Sequence, residues 1–133
     1  MKAFHYNFEG KKQIPQRIIE EIWQSKFSDK PMPKVLAFEL KYRDFVKSAK
    51  AFKESDPERS KLCDAAELKE HGRIILFEDK TAILIPIDNE GSGFIILRRQ
   101  NPYFDLKHDL THELTHIYSG NWKLEWLNGN HKF

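Results

Sequence analysis

Apolar residues recur along this chain in two rhythms, and each change of rhythm marks an element. In "QIPQRIIEEIWQSKF", Ile18, Ile19, Ile22 and Trp23 gather on one side at helical spacing. Pro15 suits the first turn of that helix, where no N–H is needed. "SDKPMPK" then stops it with two prolines. "KVLAFEL", residues 34–40, alternates Val35, Ala37 and Glu39 with Leu36, Phe38 and Leu40, the pattern of a strand with one well-buried face. Residues 41–71 are polar and predict helix in two pieces, divided near "SDPERS".

The middle of the chain turns to β. "RIILFEDKTAILIPI" reads as a hairpin, two apolar runs flanking Glu78, Asp79 and Lys80; "NEGSG" is a turn, and "FIILRR" is a third run. Asn101 and Pro102 then open a long helix, with Asn101 as its cap, that runs to about Ser119. Gly120 can end it in a left-handed conformation. "WKLEWL" predicts a short last helix capped by Asn121. This order predicts one α+β domain over residues 1–133, a mixed, mainly antiparallel sheet packed against helices.

Composition narrows the function classes. A hydrophobic content of 40%, with ten phenylalanines and three tryptophans, supplies a real core and argues against disorder. A net charge of +2 lacks the basic excess of a dedicated nucleic-acid binder. Arg43, Lys47, Lys50 and Lys53 recur at near-helical spacing; the pattern reads first as a solvated face and second as a stripe for an anionic partner. Cys63 is the single cysteine, so no internal disulfide can form, and it reads as a small hydrophobe beside a helix. The N-terminal stretch has no apolar run of signal-peptide length, and no stretch approaches the ~20 apolar residues that cross a bilayer. The expectation is a soluble cytoplasmic protein without a membrane partner.

The chemistry concentrates in "HDLTHELTHIYSG", residues 108–120. Leu106, Leu110, Leu114 and Ile117 form an apolar stripe on one side of the predicted helix, and His108, His112 and His116 fall on the other. Residues 112–116, "HELTH", fit the pattern H-E-x-x-H. Side chains four apart lie one above the other on a helix, so two imidazoles can grip a single ion from adjacent turns. Glu113 follows the first ligand directly, where it flanks the metal and can take a proton from water and pass it to a leaving amine.

With this motif, its size and the sheet preceding the motif, the chain resembles the zincin metallopeptidases, and among them the small gluzincins called minigluzincins. The resemblance implies a zincin-like fold in which the H-E-x-x-H helix lies below the edge strand of a twisted sheet. It implies Zn2+ as cofactor, His112 and His116 as ligands, Glu113 as general base and acid, and hydrolysis of a peptide bond by metal-activated water. The edge strand would come from residues 81–99, with "FIILRR" or "AILIPI" as candidates. The substrate would be a peptide or unfolded protein segment lying extended along that strand.

The third ligand stays open. The metzincin positions hold Ser119 and Trp122, so that subgroup does not fit. Gluzincins use a glutamate from a following helix, and Glu125, nine residues after His116, is the only acidic residue there. His131 is the other candidate, as a ligand or as an internal inhibitor, in keeping with the latency associated with minigluzincins. His108 lies two turns from His116, too far for one ion to bind all three histidines comfortably, and reads as a flanking or solvated group. Asp109, three residues before His112, reads first as a surface carboxylate and is within reach to orient a ligand imidazole. Tyr103, Tyr118, Arg98 and Arg99 are the nearby candidates for stabilising a developing oxyanion. Two rival readings remain: a metal-stabilised binding or regulatory domain with a closed zinc site, and a metal-free interaction module.

Overall fold

The computed structural model of the chain describes residues 8–73, 76, 79–87, 92–99 and 105–120. Pro15 precedes α1 (Gln16–Lys26), whose Ile19, Ile22 and Trp23 are buried, as the helical spacing predicts. After the prolines, β2 (Val35–Leu40) forms where expected, but both of its faces are covered instead of one, and only Leu36 is exposed. The polar stretch forms two helices, α2 (Tyr42–Ser55) and α3 (Pro57–His71). The break falls at Asp56 because its carboxylate accepts the Arg59 N–H at 3.1 Å and so caps α3, while Pro57 takes the first helical position. The side chain of Cys63 lies outside the described residues.

Strands β3 (Ala82–Pro86) and β4 (Gly93–Arg98) are two of the three expected β runs. They pair antiparallel with each other; most of "RIILFE", the proposed partner of "AILIPI", lies outside the described residues. A two-residue strand, β1 (Lys12–Gln13), has no signature in the alternation and forms by pairing with β2. The sheet order is β1-β2-β4-β3, with β2 and β4 parallel and the two outer pairings antiparallel. The chain is thus a small α+β domain with a mixed sheet.

The histidine helix, α4, spans Leu106–Ser119 and ends at Gly120, whose φ of 77° is the left-handed conformation expected of it. Its start differs from the sequence expectation. Asp105 is the cap of α4: its backbone is extended and its carboxylate accepts the His108 N–H at 3.0 Å, while Asn101 lies outside the described residues. The aspartate thereby satisfies one of the first-turn N–H groups that have no partner within the helix. Among the described residues, no helix is long and apolar enough to cross a membrane.

The sheet divides the core in two. On one face Leu110, Leu114 and Ile117 of α4 join Ile19, Ile22 and Trp23 of α1 against Val35, Ala37, Leu84, Ile95 and Leu97. On the other, Phe45, Ala49 and Phe52 of α2 cover Phe38, Leu40, Ile83, Ile85 and Ile96. The helices α1 and α4 therefore share one face of the sheet. At one end of the β3–β4 pair the backbones approach too closely for a side chain: a Cβ at Gly93 would fall onto the Ile85 carbonyl oxygen and 3.0 Å from the Pro86 Cα. Gly93→Ala should therefore lower stability by about 1–3 kcal/mol, the range for overpacking. Urea denaturation checks this, and an unchanged midpoint would show that the pair can spread freely.

Candidate metal centre

The seat of α4 determines what its polar residues meet. With Leu110, Leu114 and Ile117 against the sheet, Glu113 falls at the border of that stripe and is only 6% exposed. His112 is exposed and His116 half-buried, on the side of the helix turned away from the stripe. His108 is fully on the solvent side and contributes only its backbone N–H to the cap.

The two ligand candidates converge. Their rings are perpendicular, with centroids 4.8 Å apart, and the two Nε2 atoms are 3.2 Å from each other. Two imidazole nitrogens held about 2.0–2.1 Å from one tetrahedral ion would be about 3.3 Å apart. The observed spacing matches that value without movement. Glu113 Oε2 lies farther off, 3.9 Å from His112 Nε2. His112, Glu113 and His116 together form a group whose ligand atoms all lie within 4.8 Å of one another and could hold a metal ion.

Glu113 is set back because the sheet holds it. It accepts a hydrogen bond from the backbone N–H of Leu84 on β3. In the β3–β4 ladder Thr81 accepts from Arg98 and Ile87 donates to Ser92, so the odd-numbered residues of β3 bond inward. Ala82, Leu84 and Pro86 therefore point their backbone groups away from β4. Among the described residues β3 is the outermost strand. Among the described residues "AILIPI", not "FIILRR", thus lies at the sheet margin beside the motif helix.

Burial pushes the Glu113 carboxyl up from 4.5 to about 7, and Asp109 adds to the rise. His112, Lys80 and the Leu84 N–H oppose it, without restoring an ordinary carboxylate. Lys80 is only 8% exposed and was not singled out in the sequence. A signal existed: the alternation that puts Ala82 and Leu84 on the α4 side of the strand puts Lys80 there too.

The oxyanion candidates have other partners. Tyr118 donates to Asp29 Oδ2 at 2.8 Å and packs on Phe27, with ring centroids 4.8 Å apart. Lys30 donates to the Tyr118 carbonyl at 2.9 Å, and Trp23 Nε1 donates to the Lys30 carbonyl at 2.8 Å. These contacts tie the last turn of α4, which carries His116, to the loop after α1. Arg98 lies over the Tyr42 ring, 4.4 Å from its centroid, and Arg99 Nε is 3.3 Å from Glu39 Oε2. Tyr103, Glu125 and His131 lie outside the described residues. Compared with protein-family models, curated proteins and solved structures, the chain finds no match in any of the three.

The perturbed carboxyl has a consequence for stability. Its folded-state pKa is raised, so between about 4.5 and about 7 the folded chain retains a proton that the unfolded chain has released. Metal-free protein should therefore lose stability as pH rises through that window and level off above it. The loss should be of the order of 3 kcal/mol. Glu113→Gln should lack this component, so its thermal midpoint should gain on wild type from pH 5 to pH 7.5. A constant difference across those pH values would show that Glu113 titrates normally.

Proposed function

We propose that the chain is a zinc-dependent metallopeptidase domain of zincin type that hydrolyses peptide bonds in extended or unfolded segments. The observation that carries this reading is the pairing of two Nε2 atoms 3.2 Å apart with a buried carboxyl held just beyond them by the edge strand. A metal ion alone would need only the histidines. A separate carboxyl with a pKa near neutrality, within reach but withdrawn from the ion's place, is what general acid–base work requires.

Zinc is the ion that best suits paired imidazoles and a carboxylate, and when bound it supplies Lewis acidity, making water more acidic and a carbonyl more electrophilic. His112 and His116 would hold it, with Glu125, in the gluzincin manner, as the third ligand. Glu113 takes a proton from the attacking water as its oxygen bonds to the carbonyl carbon. The same carboxyl then delivers that proton to the amine as the C–N bond breaks. Lys80 places a positive charge beside Glu113, where it favours the ionised base. The outward backbone groups of β3 pair with an extended substrate, which supplies orientation with few demands on side chains.

Metal content and hydrolysis of an unfolded protein such as casein test this together. Wild type should hold about one zinc per chain and cleave the substrate, and His112→Ala should do neither. Glu113→Gln should keep the metal and lose about 10²–10⁴ in rate. Lys80→Met should also keep the metal, with kcat reduced roughly 10²-fold if its charge acts in the transition state. Zinc bound without turnover in wild type would favour the closed, non-catalytic site, and no zinc in any variant would end the metallopeptidase reading.

A further inference from the structure

One buried atom near the histidine pair has no partner. Asp109 lies one turn before Glu113 and three residues before His112, half-buried on α4. Its Oδ2 is shielded from solvent and meets no hydrogen-bond donor. Leaving a buried carboxylate oxygen unsatisfied is costly, and such atoms are rare in folded proteins. Burial raises the Asp109 carboxyl, while the neighbouring His108 and His112 imidazoles draw it back down.

His112 is the natural partner. Its Nε2 is turned toward the Nε2 of His116 at 3.2 Å, so that nitrogen is committed to the point where the two rings converge. An imidazole that offers a lone pair at Nε2 carries its remaining proton on Nδ1, and that N–H needs an acceptor. Residues three apart on a helix are neighbours, and the His112 imidazole is near enough to lower the Asp109 carboxyl, although no hydrogen bond joins the two in this structure. The other acidic residues of this turn are already employed: Asp105 caps the helix and Glu113 accepts from Leu84.

We propose that Asp109 is the positioning residue for His112, accepting the proton of Nδ1 so that Nε2 stays unprotonated and aimed at the ion. The inference rests on the reading of His112, Glu113 and His116 as a metal centre. The simpler role for Asp109 is an acidic residue in the first turn of α4 that favours the helix dipole and touches nothing else.

The test compares wild type, Asp109→Ala, Asp109→Asn and His112→Ala. Zinc affinity is measured by competition with a chelator, and the His112 tautomer is read by ¹⁵N NMR of the metal-free proteins. Asp109→Ala should weaken zinc binding by about 10–100-fold. Asp109→Asn, whose amide oxygen still accepts, should lose less. In wild type the His112 proton should sit on Nδ1, and in Asp109→Ala the two tautomers should mix. If Asp109→Ala lowers only the thermal midpoint, leaving zinc affinity and tautomer unchanged, Asp109 serves the helix dipole and the proposal is overturned while the metal centre stands. If wild type binds zinc no better than His112→Ala, the metal centre itself fails and the proposal falls with it.

Discussion

The contact between the apolar stripe of α4 and the sheet is the constraint on which the site depends. Leu110 and Leu114 are fully buried and Ile117 nearly so, packed with Leu84, Ile95 and Leu97. Each fully buried aliphatic side chain contributes about 1.5–3 kcal/mol, enough to determine which side of the helix faces inward. Once that side is chosen, helical spacing puts Glu113 at the border of the contact, where it is buried. The sheet must accommodate a carboxyl within an apolar contact, and it does so with one backbone N–H, from Leu84, and one buried cation, Lys80. The compensation is partial, and the carboxyl keeps its proton to near neutrality.

The same arrangement protects the sheet margin. An outermost strand presents backbone donors that invite another strand. On β3, Glu113 occupies the donor of Leu84, and Pro86 has none to offer. At the opposite margin β1 is only two residues long, and its Lys12 pairs with Glu39 at 3.0 Å. A peptide meeting β3 therefore finds carbonyl acceptors and few donors, so the proposed recognition of extended segments depends on register.

Much of this was legible in the chain. The stripe of Leu106, Leu110, Leu114 and Ile117 announced both the helix and its buried side, Gly120 announced its end, and "HELTH" placed two imidazoles on adjacent turns. Asp56 and Pro57 marked the break between α2 and α3. What was not legible depends on tertiary pairing. β1 is a strand only because Lys12 and Gln13 lie beside Glu39 and Phe38. The helix begins at Leu106 because Asp105 itself is extended and its carboxylate caps the first turn. The roles considered for Tyr118, Arg98 and Arg99 were inferred from nearness in sequence, yet Tyr118 turns to Asp29 and the arginines to Tyr42 and Glu39. Lys80, two residues before β3, comes to Glu113 on the same side of the strand as Ala82 and Leu84, a proximity that the alternation carried but that becomes meaningful only once α4 is seated there.

The central claim is that His112 and His116 grip one ion through Nε2. X-ray absorption spectroscopy of the zinc-loaded protein tests it most directly, because it counts and ranges the atoms around the metal. The account predicts two imidazole nitrogens at about 2.0–2.1 Å. A shell of oxygen atoms alone, or a single imidazole, would contradict it.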